Sequence, residues 1–177
     1  MKILVNEYFQ NIFSADTSLN ASPVVDLFEQ MVSAEDNEKL SAPFTDKEIS
    51  DAMFQIGPLK APGPDGFPAR FFQRNWGTVE ESVIAAVRNF FHTGVMPEGV
   101  NTTTIVLIPK ISNPMKLSDY RPISLCNVIY KVISKCLVNR LRPLLDELIS
   151  LEQSAFIPGR MITDNALIAF ECIHHIK

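Results

Sequence analysis

The sequence predicts a helix-rich α+β fold with a small antiparallel β-hairpin or sheet, and three observations carry that reading. Apolar residues recur at helical spacing over 4–13, 79–91 and 129–148. Two short β-branched runs, Thr102 to Ile108 and Tyr120 to Leu125, flank a turn region at Asn113-Pro114. Dense proline and glycine between residues 57 and 68 separates one helical stretch from the next. At 177 residues, 46% hydrophobic and with a mean hydropathy of +0.10, the chain can bury a real core.

Element by element, Met1 to Phe13 places apolar residues at 4, 5, 8, 9, 12 and 13, which predicts a helix. Ser14 to Pro23 reads as a polar linker, Pro23 to Val32 as a short helix, and Ser33 to Ala42 as an acidic loop. Thr45-Asp46-Lys47-Glu48 is a capping box, in which hydroxyl and carboxylate each accept an orphan amide hydrogen, and it starts a helix over about 46–56. Residues 57–68 hold four prolines and three glycines, which predicts a stiff loop that neither helix nor central strand would accept. A helix over 68–74 follows. Thr78-Val79-Glu80-Glu81 repeats the capping box and predicts a helix closed by Gly94. Asn127 to about Ile149 has the strongest helical pattern, which Pro143 should kink or divide. Ser150 to Arg160 reads as an extended connection, and Thr163 or Asp164 as the cap of a last helix.

Net charge is −4, but it is unevenly spread. Residues 1–58 hold ten Asp/Glu against three Lys/Arg, whereas residues 59–177 hold ten against thirteen. Segment 109–142 concentrates seven cations, Lys110, Lys116, Arg121, Lys131, Lys135, Arg140 and Arg142, against Asp119 alone. Local clusters of this kind, rather than the whole-chain total, set affinity for phosphate. For Lys131, Lys135 and Arg142 a solvated helix face accounts for the charge. Cys126, Cys136 and Cys172 are widely spaced and predict buried or half-buried thiols rather than a metal site. No apolar run approaches the roughly 20 residues that span a bilayer. With no signal-peptide pattern at Met1 to Gln10, an intracellular chain without membrane attachment is expected.

Four motifs occur in a fixed order: Lys60-Ala61-Pro62-Gly63-Pro64-Asp65-Gly66-Phe67, Ile105 to Lys110, Asp119-Tyr120-Arg121-Pro122-Ile123-Ser124-Leu125, and Gln153 to Arg160. In that order the chain resembles the reverse transcriptase of plant non-LTR retrotransposons, the long interspersed element class. The resemblance covers roughly residues 44–177. It implies a partial reverse-transcriptase fold, fingers and the start of the palm, with residues 1–43 as an acidic helical linker. It also implies that the chain stops before the catalytic palm, with the first catalytic aspartate beyond Lys177.

The resemblance assigns roles residue by residue. Lys110 and Arg121 would hold the phosphates of an incoming nucleotide or the template backbone, lysine as a point charge and arginine as a planar fork. Lys60 and Arg70 would touch template phosphates, and Gln153 and Arg160 would lie near the template and primer path. Read without the family, each has a plainer alternative. Arg121 could pair with Asp119, Lys110 could be solvated, the 60–67 segment could be only a turn, and Asp164-Asn165 could cap a helix.

Nucleotidyl transfer needs carboxylates that hold two Mg²⁺ ions. The sequence contains no Asp-Asp dipeptide, so no catalytic or metal-binding residue is expected within it, and Mg²⁺ belongs to the intact parent enzyme. The parent's partners would be an RNA template, a DNA primer and deoxynucleoside triphosphates, with the isolated chain inactive as a polymerase. Alternative readings are a non-catalytic nucleic-acid-binding module or a helical interaction domain derived from such an element. Self-association through exposed core surface is a further expectation of the fragment reading.

Overall fold

A computed structural model describes residues 2–14, 31–150, 153, 157 and 159–176. The chain forms two compact units. One gathers the described residues before position 30 with residues 44–135, and the other gathers 30–43 with 136–177. The helices are α1 (Lys2–Phe13), α2 (Ala34–Ser41), α3 (Asp46–Gln55), α4 (Ala69–Arg74) and α5 (Trp76–Thr93), then α6 (Val128–Leu141), α7 (Leu145–Leu148) and α8 (Ile162–Ile176). Strands β1 (Thr103–Pro109) and β2 (Tyr120–Cys126) pair antiparallel between α5 and α6. The helix-rich α+β expectation holds.

In the first unit, α3 opens as its sequence dictates. Thr45 Oγ1 accepts the Glu48 amide at 3.2 Å, and Glu48 Oε2 accepts the Thr45 amide at 2.8 Å. Its buried face is Ile49, Ala52 and Met53, the i, i+3, i+4 spacing of an amphipathic helix. Val83, Ile84 and Val87 of α5 answer it, and α4 packs against both helices. Gln73 of α4 donates to the Met53 and Ile56 carbonyls at 3.0 and 2.8 Å, tying α4 to the end of α3. Gly94 closes α5 at φ 70°, as expected of a left-handed cap.

The 57–68 loop is fixed by its two central glycines in different ways. Gly66 adopts φ 76°, a turn conformation that a side chain resists. Gly63 is needed for close approach, because a Cβ there would overlap Asn127 Oδ1 and the Asn127 backbone nitrogen. Asn127 is the buried polar residue among the described core, at 6% exposure. Its Oδ1 accepts the Asp65 amide at 3.3 Å, and its Nδ2 donates to the Gly99 carbonyl at 2.9 Å. One side chain therefore ties the proline–glycine loop, the 97–102 turn and the junction between β2 and α6. Asp65 Oδ1 accepts the Phe67 amide at 3.0 Å, completing the local turn.

In the second unit, Ser33 caps α2 by accepting the Asp36 amide at 3.0 Å. Arg140 closes the other end of that helix, donating to the carbonyls of Leu40, Ala42 and Pro43. Pro143 divides the long helical pattern as expected, and residues 142–144 form a single 3₁₀ turn before α7.

Several expectations are corrected. Residues 34–41 form a helix rather than a loop, because Glu35 and Asp36 sit in the first turn, where carboxylates favour the helix dipole. The Lys39–Glu35 pair at 2.7 Å adds to it. Thr78 does not cap α5, which starts at Trp76, since Asn75 ends α4 and opens α5 at once. Lys131 is not simply solvated, because its Nζ donates to the Ala61 carbonyl at 2.7 Å. Cys126 is half-buried and Cys136 buried, but Cys172 is exposed on α8. Because α8 begins at Ile162, Thr163 and Asp164 lie in its first turn rather than before it. The helix expected over 23–32 lies outside the described residues apart from Met31 and Val32.

Gly63→Ala is expected to destabilise the fold by about 1–3 kcal/mol through backbone displacement. Asn127→Ala should cost about 2 kcal/mol by stranding its buried partners. A fall in urea midpoint for both variants, with Gly77→Ala as the open-space control, checks the assignment.

Candidate nucleic-acid interface

The β1–β2 hairpin sets the geometry. Ile108 pairs with Arg121 and Pro109 with Tyr120, and the Lys110 amide continues the ladder by donating to the Asp119 carbonyl at 2.7 Å. Directly opposed residues share a face, as do residues two apart on one strand. Lys110 and Arg121 therefore stand on one face as diagonal neighbours, with Cβ atoms about 7 Å apart by ordinary strand geometry. Both are exposed, on the face that also exposes Val106, Ile108 and Ile123.

Asp119 decides which cation is engaged locally. Its Oδ2 accepts the Met115 and Lys116 amides, each at 2.9 Å, and so ties back the ten-residue connection between the strands. Those backbone bonds, Lys116 first, hold its carboxyl below the ordinary aspartate range, and the nearby Lys110 charge adds to the effect. The carboxylate is thus occupied by main chain, and no ion pair with Arg121 forms among the described residues. Lys110 Nζ donates to the Ser118 carbonyl at 2.7 Å, which directs the ammonium along the hairpin end.

Lys60 and Arg70 lie near each other in the first unit. The Lys60 amide donates to the Gly57 carbonyl at 3.1 Å, and the Arg70 amide to the adjacent Pro58 carbonyl at 3.1 Å. Both side chains are exposed, and the Lys60 stem folds over Gly57.

Gln153 and Arg160 belong to a different kind of arrangement. The Arg160 side chain is only 15% exposed. Its guanidinium donates to the carbonyls of Ser150 at 2.6 Å, Gln153 at 3.1 Å and Ile149 at 3.3 Å, and pairs with Asp146 Oδ1 at 3.3 Å. Arginine is acting here as a clamp on the carbonyls that follow α7, so a template contact would have to displace those bonds. Sequence reasoning missed this role and that of Asn127. The position of an asparagine between a strand and a helix was the available signal for the latter.

Among the described residues no three His, Cys, Asp or Glu side chains come together as a metal site would need. None of the described helices is long and apolar enough to cross a membrane.

The reverse transcriptase (RNA-dependent DNA polymerase) family matches residues 108–177. Over those residues the chain matches part of a reverse transcriptase. It is 31% identical over 172 residues, 96% of its length, to the transposon TX1 uncharacterized 149 kDa protein of Xenopus laevis. It is 27% identical over 134 residues, 73% of its length, to a retrovirus-related Pol polyprotein from the type-1 retrotransposable element R1 of Bradysia coprophila. The chain spans 13% of the length of each of these relatives. The reverse-transcriptase match takes in Lys110, Arg121, Gln153 and Arg160, whereas Lys60 and Arg70 precede it.

The depressed Asp119 carboxyl makes a pH prediction. A group held below its unfolded value stabilises the fold above that value, here 3.8, and the contribution disappears as pH falls through the folded value. Asp119→Asn should therefore lower the melting temperature at neutral pH and converge with the parent chain as pH falls below 3.8 and through the folded value. Paired thermal melts at the two pH values check it.

Proposed function

We propose that this chain supplies fingers-type contacts to an RNA-directed DNA polymerase, within a non-LTR retrotransposon protein of the plant long interspersed element type. Lys110 and Arg121 hold the phosphates of the incoming deoxynucleoside triphosphate or of the template. Lys60 and Arg70 contact the template backbone. Gln153 and Arg160 shape the segment leading into α8, beside the template and primer path. The observation that carries the reading is the hairpin register, which sets two exposed cations of neighbouring strands on one face.

The chemistry follows from that placement. Lysine offers a compact charge at the strand end, and arginine offers a fork that can grip two oxygens of one phosphate. Apolar Ile108 and Ile123 lie exposed on the same face. In the intact enzyme Mg²⁺ would stabilise the attacking and leaving oxygens. This chain's residues bind and orient, and no bond-making step is assigned to them. Residues 44–177 form the polymerase part of the chain, with 1–43 preceding it.

A second reading, a helical interaction domain, is favoured by α8. Leu167, Ile168 and Ile173 are each 61% exposed and Phe170 is 73% exposed, an apolar load that a solvated helix does not need.

The test is binding of a labelled RNA–DNA primer-template by the purified chain. Affinity should fall steeply with salt, and Lys110→Ala with Arg121→Ala should weaken it about tenfold and flatten the salt slope. Equal affinity in the double variant would defeat the proposal. In primer extension with Mg²⁺ and deoxynucleoside triphosphates, the chain alone should incorporate nothing; incorporation would refute the assignment of a purely binding role.

A further inference from the structure

The start of α4 carries aromatic surface that the phosphate contacts leave unused. Phe67 and Phe71 are 45% and 40% exposed, with ring centroids 4.7 Å apart and planes tilted by 38°. Phe72 backs them, edge-on to Phe71 at 5.4 Å. They are held in place from below. Asp65 fixes the Phe67 amide, Asn127 fixes Asp65, and the Arg70 amide is bonded to Pro58. A rigid loop thus presents two rings to solvent, which a hydrophobic core would have absorbed.

Charge indicates what those rings meet. Arg70 and Arg74 are four residues apart on α4, and so share a stripe beside that of Phe67 and Phe71. Lys60 stands at the turn whose Pro58 carbonyl holds Arg70. Residues 57–76 contain these three cations and one carboxylate, Asp65, which is bonded to main chain. Flat apolar rings bordered by cations match an unpaired nucleic-acid strand, whose bases stack while its phosphates pair with the cations. An apolar protein helix would gain nothing from the flanking charge.

We propose that Phe67 and Phe71 form a stacking platform for unpaired nucleobases, making the 57–76 segment a single-strand binding site. The proposal rests on the nucleic-acid reading above and adds that this segment reads bases, not only phosphates. A duplex, whose bases are already stacked on one another, offers the platform nothing.

The experiment uses the whole 177-residue chain and three fluorescent probes: a single-stranded oligouridylate, an abasic strand of equal length, and a blunt RNA duplex. The oligouridylate should bind about tenfold more tightly than the abasic strand. Phe67→Leu and Phe71→Leu, which keep apolar volume but lose the flat ring, should each erase most of that difference without changing the salt slope. Phe71→Tyr should retain it, and thermal melts confirm that the leucine variants fold. If the oligouridylate and abasic strand bind equally and with salt dependence, stacking is overturned while phosphate contact stands. If no probe binds at all, both readings fall. Loss of self-association in the leucine variants with unchanged oligonucleotide binding would make the patch a protein contact and overturn the proposal.

Discussion

The Asn127 side chain is the interaction on which the first unit depends. A buried amide must have its donors and acceptors met, or it costs more than it contributes. Here the two ends of one amide are satisfied by two loops that have no secondary structure of their own to hold them. The arrangement works only because Gly63 has no side chain to hold the loop away. The stiffness of the prolines then becomes useful: once residues 63–65 are pinned, the rest of the 57–68 segment has few conformations left. One proposed contact surface, the exposed start of α4, begins at residues this latch fixes, and β2, which carries Arg121, ends beside it.

Much of the fold was legible because the signals were local. Thr45 and Glu48 satisfy each other within one turn, Gly94 supplies its own left-handed cap, and Pro143 removes its own amide, so none depends on distant chain. The strands were legible for a similar reason, since β-branched runs around a turn leave few pairings. What escaped was set by partners remote in sequence. The carbonyl end of the 34–41 helix is closed by Arg140, about a hundred residues away, a partner that no local pattern reveals. Lys131 looked solvated because nothing near it in sequence reveals the Ala61 carbonyl.

The candidate site divides in the same way. That Lys110 and Arg121 could share a face followed from two strands and a short connection, and the register bears that placement out. The fate of Asp119 was not readable, because its choice between a guanidinium and two backbone amides depends on how residues 115–116 turn. Arg160 shows the opposite failure. Its motif suggested a place near the template and primer path, yet the carbonyls that follow α7 capture its five-donor fork. Similarity to reverse transcriptases identifies the lineage of residues 108–177, but the division of labour among the cations comes from the hydrogen bonds.

The tether between Lys110 and the Ser118 carbonyl has an entropic consequence. A free lysine gives up on the order of 2 kcal/mol of rotamer freedom when a ligand immobilises it. Lys110 has already surrendered part of that freedom to a neighbour that takes one of its three donors, so an arriving anion meets a preorganised ammonium with two hydrogens to spare. Arg121 is exposed and has no such side-chain tether among the described residues. The pair therefore combines a tethered ammonium with an untethered guanidinium, a division suited to a polyanion whose shape changes while it is held.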